Sequence, residues 1–199
     1  MTDIALIAGL GNPGAQYAET RHNAGWWFLD RLVSRFQFEL NPEKRFKGYF
    51  GEFRWEGKRI RVIAPSVFMN RSGQAVAPCA AYYRIDPSRI LVVHDELDLD
   101  PGDARLKVGG GHGGHNGLRD IGIRLGSLDF LRLRIGIGHP SSSDQVTGYV
   151  LSRPPTAQRV LIDRAIDKAM DTLFLVLSGE MERAMHLLHT KDGTALQQE

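Results

Sequence analysis

Two neighbouring stretches decide the fold class: IALIAGLGNPG at Ile4–Gly14 and AGWWFLDRLVSRF at Ala24–Phe36. The first begins with a short apolar run, which predicts a buried β-strand, and it ends in Gly, Asn and Pro, which favour a turn. The second has apolar residues at helical spacing and predicts an amphipathic helix. A strand that leads through a turn into a helix is typical of an α/β fold.

The same alternation continues along the rest of the chain. Further strands are predicted at Phe46–Trp55, Arg59–Ala64, Ile90–Val93, Ala104–Val108 and Leu131–Ile137, and further helices at Ser72–Tyr83, Asn116–Leu125 and from Pro155 onward. Within the first of these helices, Ser72 is a candidate N-cap, and Pro78 predicts a kink or a late start. We expect one α/β domain over residues 1–199, a three-layer sandwich of helices around a mixed, mostly parallel sheet, with a poorly ordered tail after about residue 190.

Composition excludes several classes of protein. The 199 residues carry 25 Lys+Arg against 23 Asp+Glu, a net charge of +2, and 42% of them are hydrophobic, which excludes a disordered chain. One cysteine excludes a disulfide framework and a Cys-rich zinc site. The first apolar run is short and follows Asp3, which is not typical of a signal peptide. We therefore expect a cytoplasmic protein with no membrane span.

Polar side chains follow five of the predicted strands at the point where each strand ends. These segments are GLGNPG at Gly9–Gly14, PSVFMN at Pro65–Asn70, HDE at His94–Glu96, GGGHGGHNG at Gly109–Gly117 and GHP at Gly138–Pro140. In open α/β sheets, ligands bind in the crevice outside the carboxyl ends of the strands. Turns also favour small polar residues, but turns alone do not require four of the seven histidines at these positions. We interpret the five segments as one binding crevice.

Two common kinds of site fit the sequence poorly. Gly9–Gly14 matches the GxGxxG spacing of dinucleotide-binding loops, but Asn-Pro-Gly favours a turn at the place where such a motif opens a helix. The chain has no GxSxG or SxxK motif for a nucleophilic serine. Cys79 lies in an apolar helical segment, where a cysteine is usually a small buried hydrophobic residue.

A metal site is an alternative use of the histidines. His112 and His115 form an HxxH pair, and His94 with Asp95 would lie near them in the crevice, so imidazole and carboxylate ligands are available. An HxxH pair in a glycine-rich loop has no fixed geometry, in contrast to an HExxH pair on a helix.

A general base acting on water fits the crevice better. His22 precedes the Trp26-Trp27 helix, and Asp95 would accept its imidazole N–H and stabilise the cation that proton abstraction creates. The side-chain amides of Asn70 and Asn116 would donate hydrogen bonds to a developing oxyanion without titrating. The alternative for His22 is a residue at a helix N-terminus that hydrogen-bonds its own loop.

Basic residues alternate along two of the predicted strands. Arg105 and Lys107 lie on one strand and Arg132 and Arg134 on another, so each pair projects from a single face. A further basic run lies at Lys44–Lys47. Such a patch suits a phosphate backbone, although a solvated sheet face explains it as well.

Five segments together resemble bacterial peptidyl-tRNA hydrolases: GLGNPGAQYAETRHNAGWWFLD, PSVFMNRSG, HDELDLDPG, KVGGGHGGHNGLRDI and LRLRIGIGHP. They occur in the family's order from the first strand to the helix that ends near His189. The resemblance implies a monomeric, single-domain α/β hydrolase without metal or cofactor. Its partner would be peptidyl-tRNA, whose ester between the peptide and the 3′ end of the tRNA it would cleave.

The resemblance also implies roles for individual residues. His22 matches the catalytic base, Asp95 the residue that supports it, and Asn12 the residue associated with telling N-blocked esters from free aminoacyl esters. The positions that match substrate-binding or tRNA-binding residues are Tyr17, Phe68, Asn70 and Asn116, and the expected phosphate contacts are Arg105, Lys107 and Arg134. Ser141–Gln145 departs from the family pattern and cannot be matched residue by residue.

Two other functions stay open at this point. A catalytically silent RNA-binding protein on the same scaffold would keep the basic strands without needing the combination of His22, Asp95 and Asn12. A metallohydrolase would use His112 and His115 as ligands.

Overall fold

A computed structural model describes residues 3–190 and has a seven-stranded sheet with the order β2-β3-β4-β1-β5-β7-β6. The strands are β1 Leu6–Gly9, β2 Asn41–Glu43, β3 Gly48–Trp55, β4 Lys58–Pro65, β5 Ile90–Glu96, β6 Ala104–Val108 and β7 Leu131–Gly136. The helices are α1 Ala24–Phe36, α2 Gly73–Tyr82, α3 Asn116–Leu125, α4 Val146–Val150, α5 Thr156–Leu177 and α6 Met181–His189. None of the helices within residues 3–190 has the apolar length that crossing a membrane requires.

The sheet is buried between two layers of helices. Strands β4, β1, β5 and β7 run parallel, while β2, β3 and β6 pair antiparallel. One core joins the sheet to α1, α5 and α6, and a second joins it to α2 and α3. Within β1, Ile7 belongs to the first core while Leu6 and Ala8 belong to the second, which explains why this strand is apolar at every position. The predicted three-layer α/β fold is confirmed.

Ser72 lies at the predicted N-cap position of helix α2, and Pro78 lies inside the helix. The helix begins at Gly73, after a 3₁₀ turn at Met69–Arg71. The predicted N-cap position is confirmed, but the Ser72 hydroxyl donates to the Met69 carbonyl over 2.7 Å and makes no capping hydrogen bond. The helix continues through the exposed Pro78, because the next turn is buried against the sheet and tertiary packing outweighs one lost hydrogen bond.

The predicted C-terminal helical segment consists of two helices. Helix α5 ends at Leu177 and α6 begins at Met181, with Gly179 between them at φ = 79°. Glycine adopts this left-handed conformation without a steric penalty, so the chain turns there and α6 packs beside the edge strand β6. The tail expected to be poorly ordered after about residue 190 lies outside the described residues.

Helix α1 packs unusually close to the sheet at its first turn. A side-chain Cβ at Gly25 would lie 2.4 Å from both the Leu10 nitrogen and the Val93 oxygen, so only glycine fits there. The Leu10 N–H donates to the same Val93 oxygen over 2.9 Å, which joins the ends of β1 and β5 directly beneath the helix. This contact brings the residues just before α1, including His22, to the carboxyl end of β5.

Candidate active site

A cavity of about 870 Å³ opens at the carboxyl ends of the parallel strands. Its lining includes all seven residues that the resemblance marks as catalytic or substrate-binding: Asn12, Tyr17, His22, Phe68, Asn70, Asp95 and Asn116. They come from the segments after β1 and β4, from the end of β5 and from the start of α3. Separate strand ends therefore meet in one crevice, as expected for an open α/β sheet.

His22 and Asp95 form a hydrogen-bonded pair on the wall of the cavity. The Nδ1 atom of His22 lies 2.9 Å from each carboxylate oxygen of Asp95, and the carboxylate is buried. Burial alone would raise the pKa of Asp95, but the neighbouring His22 and His115 hold that pKa well below its usual value. Burial alone would lower the pKa of His22, but the charge and hydrogen bond of Asp95 raise it overall.

The pairing assigns the protons of the His22 ring. A carboxylate only accepts hydrogen bonds, so Nδ1 carries the hydrogen and Nε2 carries a lone pair. Nε2 has no hydrogen-bond partner among residues 3–190, while the ring borders the cavity. His22 therefore presents a base to whatever occupies the cavity, and it does not bond its own loop as the alternative interpretation required.

Asn12 is held rigidly, and its amide nitrogen has no hydrogen-bond partner among residues 3–190. Its Oδ1 accepts from the Met69 N–H over 2.7 Å, which leaves Nδ2 as the donor side of the amide. The buried Asn23 fixes the turn on both sides, because its Oδ1 accepts from the Asn12 N–H and its Nδ2 donates to the Asn12 carbonyl. The cavity thus receives a pre-positioned N–H donor.

Two further asparagines border the same space. Asn70 lies exposed in the 3₁₀ turn after β4, and Asn116 is the first residue of α3. The Asn116 Oδ1 accepts from Arg119 over 2.7 Å, so its amide nitrogen is available as a donor. These amides supply uncharged donors whose state does not depend on pH.

Tyr17 and Phe68 form an aromatic pair at the edge of the cavity. Their ring centres lie 6.2 Å apart with the planes at 88°, and 54% of Phe68 is exposed. An exposed ring backed by a second aromatic ring can stack on a nucleobase.

His115 makes the second hydrogen bond to Asp95. Its Nε2 lies 3.0 Å from Oδ1 of the carboxylate, and its Nδ1 accepts from the Leu118 N–H at the start of α3. His112 lies elsewhere in the loop, where its Nδ1 accepts from the Gly114 N–H. The HxxH pair therefore does not converge on one point.

A different set of groups within residues 3–190 meets the spacing of a metal site. The ligand atoms of His22, Asp95 and His115 lie within 4.8 Å of one another. Both histidine nitrogens in this set face the carboxylate at 2.9 to 3.0 Å, the distance of an N–H donor, so their lone pairs do not converge on a common centre. The arrangement is that of a hydrogen-bonded triad.

The basic residues of β6 and β7 have different surroundings, although they share one face. Arg105 lies opposite Arg134 and Lys107 opposite Arg132, and the two β6 residues are exposed. Arg132 is buried and donates to the Gly110 and Gly111 carbonyls. Arg132 therefore shares a face with Arg134, as the alternation predicts, but solvation of that face does not extend to Arg132, because the glycine-rich loop folds over it. Arg134 donates to Glu96 over 2.8 Å.

The sequence of this chain is similar to those of known proteins over nearly its whole length. The sequence profile described as "Peptidyl-tRNA hydrolase" matches residues 6–195. The chain is 54% identical to a peptidyl-tRNA hydrolase of Pectobacterium carotovorum over 190 residues, 95% of this chain and 97% of the relative. It is 53% identical to one of Pseudomonas syringae over 96% of this chain and 99% of the relative. The chain belongs to the peptidyl-tRNA hydrolase family.

The fold agrees with this assignment. The crystal structure of the peptidyl-tRNA hydrolase of Acinetobacter baumannii superposes with a TM-score of 0.93 at 48% identity, covering 96% of each chain. The chain is thus a hydrolase of the peptidyl-tRNA hydrolase family.

Arg21 is a buried residue that the sequence analysis did not single out. Its guanidinium donates to the Ser152 hydroxyl over 2.7 Å and to Gln158 over 2.9 Å, and it stacks 4.0 Å from the centre of the Tyr149 ring. The residue next to His22 therefore joins α4, which lines one wall of the cavity in this hydrolase, to the start of α5. No local pattern in the sequence signals this role, because the contacts of Arg21 are with residues 128 to 137 positions away.

His94 is a fully buried histidine behind the triad. Its Nδ1 donates to the Asp95 carbonyl over 2.7 Å, while its Nε2 is buried without a partner among residues 3–190. Burial, with a smaller contribution from His115, lowers the pKa of His94 to about 3. The folded protein therefore keeps this ring neutral under conditions that protonate it in the unfolded chain.

This histidine is expected to make the protein sensitive to acid. Because the unfolded chain binds a proton at about pH 6.5 and the folded chain only near pH 3, the free energy of unfolding falls across this window as pH decreases. The slope from His94 approaches about 1.4 kcal/mol per pH unit. His22 has the opposite sign, since its raised pKa gives a contribution that is already complete below about pH 6.5.

Urea unfolding of the wild type and of His94→Asn between pH 7 and pH 4.5 tests this expectation. The asparagine amide can replace the Nδ1 donor to the Asp95 carbonyl but does not titrate. We expect a shallower pH dependence in the variant. Equal slopes in the two proteins would assign the acid sensitivity to other groups.

Proposed function

We propose that this chain hydrolyses the ester between peptide and tRNA in N-blocked peptidyl-tRNA, releasing free tRNA and peptide. The observation that carries the proposal is the His22–Asp95 pair, which presents a base to a cavity bordered by asparagine amides. The names of the relatives that match nearly the whole chain support the same substrate. The remaining steps follow from the chemistry of these groups.

His22 activates the attacking water. Its Nε2 lone pair removes a proton as the water oxygen attacks the ester carbonyl, and Asp95 stabilises the imidazolium and keeps Nδ1 protonated. When the tetrahedral intermediate collapses, His22 returns the proton to the ribose oxygen of the leaving tRNA. An aminoacyl ester is already activated, so this route needs no covalent enzyme intermediate.

Asn70 and Asn116 hold the scissile ester and stabilise the oxyanion. Amide N–H groups that are in place before the reaction lower the energy of the developing negative charge without reorganisation. Asn116 is well suited to this role, because its oxygen is occupied by Arg119 and its nitrogen is left to donate.

Asn12 distinguishes N-blocked from unblocked substrates. A blocked amino group is an amide, whose carbonyl can accept from the Nδ2 donor, whereas a free amino group is a positively charged donor at neutral pH. The Met69 N–H fixes the Asn12 oxygen, so the amide cannot turn to offer an acceptor to the ammonium. The unblocked ester would therefore bind with a mismatched donor and bind less well.

Residues that take no part in the reaction would bind the tRNA. Phe68 and Tyr17 offer an aromatic surface for stacking on bases near the acceptor end. Arg105 and Lys107 are exposed on β6 for phosphates, and Arg134 would join them by exchanging part of its contact with Glu96. We propose that the chain acts on peptidyl-tRNA in the cytoplasm as a monomer, without a metal or cofactor.

Hydrolysis of N-acetylated aminoacyl-tRNA, measured beside its unblocked counterpart, tests the proposed function. We expect release of tRNA from the blocked ester only, and unchanged rates in excess chelator. The matched variant is Asn12→Asp, which keeps an oxygen acceptor for the Met69 N–H and replaces the donor by a carboxylate that attracts an ammonium. This variant should lose part of the preference for the blocked ester.

Three outcomes would contradict the proposal. Salt-dependent tRNA binding without any ester cleavage would indicate a silent RNA-binding protein. Loss of activity with chelator, restored by metal, would indicate a metallohydrolase. Equal cleavage of both esters by the wild type would remove the role of Asn12.

A further inference from the structure

Two histidines share the carboxylate of Asp95, although the proposed reaction uses only one of them. His22 reaches it through Nδ1 at 2.9 Å and His115 through Nε2 at 3.0 Å, with ring centres 5.2 Å apart. The two rings are similarly buried, with 12% and 10% of their side chains exposed. Exposure therefore does not decide which ring is the base, and the partner of the second nitrogen on each ring must decide it.

The second nitrogen of His115 already accepts a hydrogen bond. Its Nδ1 accepts from the Leu118 N–H, so His115 occupies the N-cap position of α3 and satisfies a backbone donor that the helix leaves free. Protonating Nδ1 would place two N–H groups against each other and remove this cap. The second nitrogen of His22 has no such partner within residues 3–190, and solvent or substrate in the cavity can meet it when it is protonated.

We propose that His115 is a positioning residue that donates its Nε2 hydrogen to Asp95 while its Nδ1 caps α3, so that His22 is the ring that takes the proton from water. This inference rests on the proposed function. It gives the GGHGGHNG loop a role that involves neither a metal nor direct contact with the reacting atoms.

The donated hydrogen bond also adjusts the strength of the base. An N–H from His115 stabilises the negative charge of Asp95, so less of that charge is available to stabilise protonated His22. His22 therefore stays unprotonated, and able to act as a base, at a lower pH than it would if Asp95 accepted no hydrogen bond from His115. The same ring ties Asp95 to the first turn of α3, which carries Asn116.

Few other titratable or charged groups within residues 3–190 lie near this triad. His94 of β5 packs edge-on against His115 at 4.9 Å, and its pKa of about 3 keeps it neutral near pH 7. The remaining charged or titratable residues that border the cavity are Tyr17, Arg71, Glu96, His112 and His139. None of them hydrogen-bonds Asp95, whose side-chain partners within residues 3–190 are His22 and His115.

Two substitutions of His115 separate its two hydrogen bonds. In His115→Asn the amide occupies the place of Nδ1, so it keeps the N-cap, in which asparagine is favoured, but does not reach Asp95. In His115→Gln the longer amide places an N–H where Nε2 was and retains the donor to Asp95. A role in stability alone would not shift the pH profile of one variant and leave that of the other in place.

The measurement is the pH dependence of kcat/KM for N-acetylated aminoacyl-tRNA. We expect the acidic limb of His115→Asn to move to higher pH by roughly half to one unit, because Asp95 then stabilises protonated His22 more strongly. The acidic limb of His115→Gln should stay close to that of the wild type. Thermal unfolding of both variants checks that they are folded.

Nuclear magnetic resonance of the histidine rings provides a readout that does not depend on activity. We expect His115 to stay in the Nε2–H form while His22 titrates, and the titration of His22 to move to higher pH in His115→Asn. A His115 that takes up the first proton would overturn the inference, as would an unchanged acidic limb in an active His115→Asn. A wild type that cleaves no ester would instead contradict the proposed function, and the ring titrations would still test the role of His115.

Discussion

Replacing His22 with alanine is expected to lower kcat/KM for N-acetylated aminoacyl-tRNA by roughly 10²–10⁴-fold, the usual contribution of general acid–base catalysis. His22 is the histidine whose second nitrogen faces the cavity without a partner in the described part of the chain. No other group there is both hydrogen-bonded to Asp95 and free to accept a proton, since His115 caps α3. The loss should therefore appear in the chemical step while tRNA binding is retained.

The matched control is His186→Ala, which removes an exposed histidine from α6 and should leave the rate unchanged. Far-ultraviolet circular dichroism of His22→Ala should match the wild type, because the close packing of α1 depends on Gly25 and not on this ring. Wild-type activity in His22→Ala would refute the mechanism. Loss of tRNA binding together with activity would place His22 in substrate binding.

Replacing Asp95 with asparagine is expected to lower kcat about 10³–10⁴-fold, as the equivalent change does in a Ser-His-Asp triad. The amide has nearly the same shape, but its N–H can donate to Nδ1 of His22 and move the ring hydrogen to Nε2. The lone pair that faces the cavity is then lost. Loss of the carboxylate charge should also lower the pKa of His22, since that charge is what raises it.

The pH–rate profile distinguishes this prediction from a loss of folding. Residual activity of Asp95→Asn should extend to lower pH than that of the wild type, the opposite of the shift expected for His115→Asn. An acidic limb that stays in place would show that Asp95 does not set the protonation of His22. Activity within tenfold of the wild type would remove Asp95 from the mechanism.

The fold was predictable wherever a local pattern coincided with burial. The predicted bounds of α1, α3 and β6 agree with the structure, because their apolar spacing matches the faces that pack. Strand β2 is the opposite case: Asn41–Glu43 has no strand pattern and becomes a strand only by pairing with β3. The chain turns between α5 and α6 at Gly179. The turn was not predicted, because the apolar spacing continues through this region.

The site was predictable as a set of residues but not as a set of contacts. Asn12 and Asp95 could be placed at one edge of the sheet, because the carboxyl ends of parallel strands meet there, and the resemblance added His22 to them. Arg132 is an example of a contact that could not be predicted. The alternation of residues along the strand predicted the face of the sheet on which Arg132 lies, but its burial depends on the glycine-rich loop that folds over it. The second hydrogen bond of His115 likewise joins residues 20 positions apart through a loop with no regular geometry.

The residues that form the cavity are far apart in the sequence, and this has a consequence during synthesis of the chain. His22 and Asp95 are separated by 73 positions in the sequence. Arg21 holds one wall of the cavity through hydrogen bonds to residues 128 to 137 positions away. An N-terminal portion that ends before Gln158 lacks a residue to which Arg21 donates, so catalytic activity should appear late in synthesis, after the start of α5 has joined the fold. A chain still emerging from its ribosome carries the catalytic residues before it has an active site.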